Sequence, residues 1–190
     1  MPTIRNRFHA FMLSVLLLTG ILVTPNGANA NEQQWGHWRG PTGNGESLTA
    51  TPPKEFGPDK NCRWKQPIPG RGSSSPVVWD DQVFITTAIP VSDGRGTLDF
   101  RLLCYDRKTG TKQWDHSCIK AVPYEGTHST NGYASASPCT NGRYVYAHFG
   151  SQGLYCLTMD GKPVWDKDFG DMHTRNEFGE GSSPTLVDDR

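Results

Sequence analysis

The side chains best suited to hold a ligand in this sequence come in two matching sets, His128-Ser129-Thr130-Asn131-Gly132-Tyr133 and His173-Thr174-Arg175-Asn176-Glu177-Phe178. Both read His-x-x-Asn-x-aromatic, and each precedes a Ser-Pro pair, Ser137-Pro138 and Ser183-Pro184, with one extra residue in the second case. Imidazole and carboxamide groups supply donors and acceptors, and the aromatic ring supplies a stacking face. Loops of this kind could hold a polar ligand, or a metal where several imidazoles converge. The structural alternative is that each loop folds on itself, with the asparagine in a turn and the ring packed beneath it. His128, Asn131, Tyr133, His173, Asn176 and Phe178 are therefore the candidate ligand-binding residues. No residue is assigned as catalytic or as a metal ligand.

Other reactive groups have plainer explanations. Asp106 and Asp160 each stand in a turn before a glycine, where an aspartate bonds nearby backbone. Asp80-Asp81 and Asp188-Asp189 read as hairpin tips. His37, His116 and His148 have no comparable company and are expected at the surface or satisfied within strands. Arg95, in Asp93-Gly94-Arg95-Gly96, is expected in a solvated loop. The cysteines, Cys62, Cys104, Cys118, Cys139 and Cys156, are odd in number and form neither Cys-x-x-Cys nor an adjacent pair. That excludes zinc-ribbon and thioredoxin patterns, leaves at least one thiol unpaired, and marks Cys104 and Cys156 as small buried strand residues.

The elements that would position these loops repeat along the chain. Ser75-Pro76-Val77-Val78 leads through Trp79-Asp80-Asp81 into Gln82–Thr87; Ser137-Pro138-Cys139-Thr140 leads through Asn141-Gly142 into Arg143–Phe149. A third copy begins at Ser183-Pro184. Asparagine, aspartate and glycine between β-branched or aromatic runs are hairpin chemistry, because they tolerate the positive φ of tight turns. A second hairpin follows each of the first two: Leu102–Tyr105, the Asp106–Gly110 turn and Lys112–Trp114; then Leu154–Thr158, the Asp160-Gly161 turn and Pro163–Trp165. Four short antiparallel strands recurring about every fifty residues are the arithmetic of an all-β propeller blade. Trp114 and Trp165 close the fourth strands, and Trp64 stands about one period upstream, ending a fourth strand whose partners would lie elsewhere. A large flat side chain at that position can wedge between neighbouring blades, so all three are expected to dock blade on blade.

Residues 1–30 have Arg5 and Arg7, an apolar run from Phe11 to Val23 and the small residues Ala28-Asn29-Ala30, the layout of a cleavable secretory leader. The run is too short to span a bilayer comfortably, so no stable membrane insertion is expected after cleavage. The expected organisation is a leader over 1–30, an extended segment over 31–60 and part of a propeller over 61–190. Its blades lie at about 73–116 and 135–168, and a third begins near 182. The sequence reads as the N-terminal portion of a longer ring, exported to the periplasm or beyond. Lys and Arg number 19, as do Asp and Glu, with no basic run past the leader, which argues against a nucleic-acid partner.

The Asp-x-x-Thr-Gly-x-x-x-Trp pattern at Asp106–Trp114 resembles the tryptophan-docking repeat of the pyrroloquinoline quinone (PQQ) dehydrogenases and of BamB-like propellers. The second copy keeps Asp160, Gly161 and Trp165 and is one residue shorter. Trp35-Gly36-His37-Trp38-Arg39-Gly40-Pro41-Thr42-Gly43 is similar to the N-terminal Trp-x-x-aromatic-Arg-Gly-Pro-x-Gly segment of exported PQQ-like propeller proteins. This resemblance implies three functions. The leading expectation is a non-catalytic scaffold binding protein or a polar small molecule. The second is a quinoprotein dehydrogenase for an alcohol or sugar, with PQQ and calcium as cofactors. The third is a BamB-like factor in envelope protein assembly. Adjacent cysteines, a mark of the enzymes, are missing here.

Overall fold

In the computed structural model of the protein, residues 34–187 are described, so the predicted leader and the tip at Asp188-Asp189 lie outside them. The first sheet comprises β1 (Val77–Trp79), β2 (Gln82–Pro90), β3 (Leu98–Asp106) and β4 (Lys112–Ala121), and the second β5 (Cys139–Thr140), β6 (Tyr144–His148), β7 (Leu154–Thr158) and β8 (Pro163–Lys167). Each is an antiparallel meander with strands in sequential order. The fold is all-β, two consecutive four-stranded propeller blades.

Alternation along the strands creates the face that joins the sheets. Phe84 on β2 and Phe100, Leu102 and Cys104 on β3 meet Val145, Ala147 and Leu157 of the second sheet, and Phe149 just past β6, in one buried cluster. The rings of Phe100 and Phe149 pack edge to face at 5.4 Å between centroids. Each fully buried large apolar side chain contributes about 1.5–3 kcal/mol relative to exposure, so this seam fixes the spacing of everything carried on it.

The acidic turns form as the residue types dictate. Asp106 Oδ1 accepts hydrogen bonds from the amides of Lys108 and Thr109, at 2.9 and 2.7 Å, and from the Thr109 hydroxyl. These donors hold the Asp106 carboxyl below its usual range, the Thr109 amide contributing most. Asp160 accepts from Thr158 Oγ1, and Asp80 adopts a left-handed φ of 49° at its hairpin tip.

Both fourth strands run past the tryptophans expected to close them, β8 to Lys167 and β4 further. The fourth strand does not stop at Trp114: β4 continues to Ala121, because Leu98–Arg101 of the long β3 pair with Ser117–Ala121 across an irregularity between Phe100 and Arg101. Asp115, His116, Ser117 and Lys120 hide this extension by breaking the apolar pattern, yet Asp99, Arg101 and Asp115 satisfy one another there. Trp64 lies on no strand among the described residues. Its segment is extended, with one bridge between Arg71 and Ala88 and a bond from Thr87 Oγ1 to the Pro69 carbonyl.

The segment before residue 60 is more engaged than its composition suggests. Trp35 exchanges two 2.8 Å backbone bonds with Val78, and the Thr140 amide donates to the Gly36 carbonyl at 2.8 Å. One short strap therefore touches the first strands of both sheets.

Candidate functional site

At the turn end of the sheets, tryptophans sit on glycines. The Trp64 indole donates to the Arg107 carbonyl at 2.9 Å and lies over Gly110, where a Cβ would come within 2.6 Å of the ring. Trp114 repeats this on the second sheet, donating to the Met159 carbonyl at 3.0 Å and lying 2.7 Å from a Cβ built on Gly161. Both glycines have positive φ, 73° and 82°, so turn geometry and ring contact select the same residue. Trp165 has the matching place in its own sheet, its ring 5.9 Å from Tyr146 as Trp114 is 5.7 Å from Phe84, and is 42% exposed.

At the opposite end, the sequence-selected loops meet each other. Asn131 Nδ2 donates to the Phe178 carbonyl at 2.9 Å, and the rings of His128 and Phe178 pack edge to face at 5.5 Å. Asn131 Oδ1 also accepts from the Gly132 amide and the Ser135 hydroxyl, while Tyr133 Oη donates to the Glu125 carbonyl. His128 Nδ1 pairs with the Thr130 hydroxyl. In the second loop Asn176 occupies a left-handed turn, and His173 and Phe178 are 78% and 57% exposed. The six residues thus share a region without converging on one point.

Residues that the motif reading missed hold this region together. Glu125 Oε1 accepts from the amide of Thr174, at 2.8 Å, and from its hydroxyl. Its Oε2 is buried and lies 2.9 Å from His173 Nδ1, an ion pair when that ring is protonated and otherwise an oxygen with no aligned donor. The Thr174 hydroxyl is the chief cause holding the Glu125 carboxyl below its ordinary range. Glu180 accepts from both the amide and the hydroxyl of Ser151. Neither glutamate belongs to a motif, so only their position in the two connecting loops hints at this role.

A serine relay was legible but unread. The Ser75 amide donates to Ser137 Oγ at 2.8 Å, and the Ser137 amide to Ser183 Oγ at 2.9 Å. Threefold recurrence of Ser-Pro is its signal. The carbonyl just before each of the two accepting serines takes a parallel bond: Thr86 Oγ1 donates to Ala136 and His148 Nδ1 to Ser182, both at 3.0 Å. His148 is therefore satisfied across the repeat, as its lone place in a strand suggested.

Burial pushes the thiols of Cys104, Cys118 and Cys139 up to about 12, which keeps them protonated and unreactive at neutral pH. Among the described residues no group of histidines, cysteines and carboxylates is arranged to hold a metal ion, and no helix is long and apolar enough to cross a membrane.

Sequential four-stranded meanders, seamed face to face and joined by tryptophans seated on the next sheet's turn, define a repeat protein of the propeller class. The family model described as outer membrane protein assembly factor BamB matches residues 28–190, and the chain belongs to that family of PQQ-like repeat proteins. No curated protein matches the chain at a significant level. Among solved structures, BamB from Moraxella catarrhalis aligns with 16% identity and a TM-score of 0.33 over 60% of this chain. The alignment covers 37% of that structure's own chain.

Proposed function

We propose that this chain is part of an exported propeller scaffold that binds protein segments, and that its role lies in envelope protein assembly. The observation that carries this reading is how the loop end is used. The side chains Asn131, Glu125 and Glu180 there are engaged in bonds that tie one connecting loop to the other or to the turn between β6 and β7. Such a surface is preformed and polar, which suits recognition. The leader-like first thirty residues support export, and the family description supports assembly as the setting. His128, Asn131, Tyr133, His173, Asn176 and Phe178 then act mainly by shaping the loops.

The quinoprotein reading fits these residues poorly. Of the four carboxylate oxygens of Glu125 and Glu180, three already accept bonds from Thr174 and Ser151 and the fourth, Glu125 Oε2, lies against His173, while among the described residues no other carboxylates are gathered to hold a metal ion such as calcium. The sequence also lacks adjacent cysteines.

Two measurements on the intact protein recovered from its own cells test the proposal. Mass spectrometry should find a mature N-terminus at Asn31, and a photocrosslinker placed at Ser129 should form adducts with protein. Alcohol- or sugar-dependent dye reduction with added PQQ and calcium, above a protein-free control, would instead establish the enzyme.

A further inference from the structure

Beside the interlocked loops lies a groove that the bonds described above do not fill. One part is a narrow recess of about 30 Å³ between Phe100, Tyr133 and Phe149, with Glu125 and Glu180 on its wall. The other, a wider cleft of about 460 Å³, lies between the end of β4 and the β7–β8 hairpin. They share Tyr124, Ser151 and Gln152 in their walls and so lie side by side along the loop end.

Its chemistry is lopsided. The charged side chains along it are Glu125, Glu180, Asp166, Asp168 and Asp171, against the single cation Lys167, in a chain whose net charge is zero. Among the described residues none of the three aspartates joins an ion pair, and only Asp168 accepts a hydrogen bond, from the Gly170 amide. Apolar surface lies between the charges: Val122 and Tyr124 are 54% and 53% exposed. Burial is the first cause pushing the Tyr155 hydroxyl up to about 12, with Asp166 and Asp168 adding to the effect.

We propose that this groove docks an extended polypeptide segment in which lysine or arginine side chains alternate with apolar ones. The inference rests on the scaffold reading and names its partner. Carboxylates spaced along adjoining recesses, with no group among the described residues gathered to hold a metal, match charges spaced along a chain better than a single cation. The exposed valine and tyrosine give the intervening apolar side chains a surface to cover, as in other peptide grooves. Exposed ion pairs are individually weak and screened by salt, so binding should fall steeply with ionic strength.

Fluorescence anisotropy on the intact protein tests this with a labelled decapeptide alternating lysine with leucine or phenylalanine. Two companions replace every lysine with glutamate, or every apolar residue with serine. The first peptide should bind, and both companions should bind at least tenfold more weakly. A combined Asp166→Asn, Asp168→Asn, Asp171→Asn variant should lose at least tenfold in affinity at an unchanged melting temperature. Glu46→Gln, Asp59→Asn and Asp93→Asn together, outside the groove, should leave affinity as it was. No binding by the first peptide, equal binding by either companion, or an equal loss in the two variants overturns the proposal. If the groove variant keeps its affinity while the Ser129 crosslinker still captures protein, the groove is wrong and the scaffold stands. If no protein is captured and quinone-dependent turnover appears, the scaffold reading itself has failed.

Discussion

At the turn end of the sheets, Asp106–Gly110 and its one-residue-shorter counterpart around Asp160-Gly161 receive a tryptophan in the same way, ring over glycine and indole N–H on a nearby carbonyl. At the loop end, two stretches sharing His-x-x-Asn-x-aromatic do different things. Asn131 makes three hydrogen bonds, whereas Asn176 sits in a left-handed turn; Tyr133 is half-buried, whereas Phe178 is exposed. Repetition of residue types therefore carries geometry only where the backbone is constrained around them. A five-residue turn between paired strands leaves little freedom, while a connecting loop of about fifteen residues takes its shape from whatever it meets.

The largest expected effect tests the turn end. Trp114→Ala in the intact protein should lower stability by about 3 kcal/mol, the low end for loss of a large ring because this one is half-buried. Denaturant unfolding measures it. His128→Ala, which removes one edge-to-face contact and two exposed bonds from the neighbouring Thr130, should change stability little. Equal losses in the two variants would erase the distinction between the ends.

Gly161→Ala sharpens the same point. A methyl group there meets the Trp114 ring at 2.7 Å on a backbone with φ of 82°, so a loss of about 2 kcal/mol is expected. In a Trp114→Ala background the clash is gone and only the left-handed backbone penalty of about 1 kcal/mol remains. A double-mutant cycle reads this coupling. Additive effects would mean that ring and glycine do not depend on each other.

The serine relay offers a middle case, repeated in both sequence and geometry but differing in burial. Ser183→Ala strips the acceptor from the amide of buried Ser137 and should cost about 1–3 kcal/mol. Ser137→Ala frees the amide of exposed Ser75, which water can satisfy, so a cost of about 0.5–1 kcal/mol is expected from thermal unfolding.

This contrast also explains what the sequence disclosed. Asn-Gly, Asp-Asp and Asp-x-x-Thr-Gly punctuation exposes the hairpins because each turn needs those residue types locally, and the all-β, four-stranded units are legible from it. The reach of β4 to Ala121 was not, since polar side chains that satisfy one another do not alternate with apolar ones. Trp35, bridged to Val78, was visible as a motif but not as a strap, because its partners lie some forty residues away and nothing local requires them. The roles of Glu125 and Glu180 were likewise hidden. Their acceptors' partners, Thr174 and Ser151, come from other loops, and a lone glutamate in a loop carries no pattern.

The smallest expected effect tests the loop end through Glu125. Bonds from the Thr174 hydroxyl and amide, with help from His173, hold its carboxyl below the ordinary range when folded. A depressed folded value means that the unfolded chain takes up a proton first as pH falls. The contribution of Glu125 is therefore complete above the ordinary glutamate range and is lost as pH drops through the folded value. Glu125→Gln can still accept from Thr174 but does not titrate, so the fall in melting temperature between pH 7 and pH 4 should be smaller in this variant than in the parent. The same comparison with Asp106→Asn addresses the turn end, where the Thr109 and Lys108 amides lower the carboxyl in the same direction. If the loop end is held by Glu125, its variant should also expose the 122–136 and 168–182 loops to faster hydrogen exchange at neutral pH, while Asp106→Asn leaves those loops unchanged. Identical exchange in the two variants would show that the loops are held by their backbone contacts to Phe178 and not by this carboxylate.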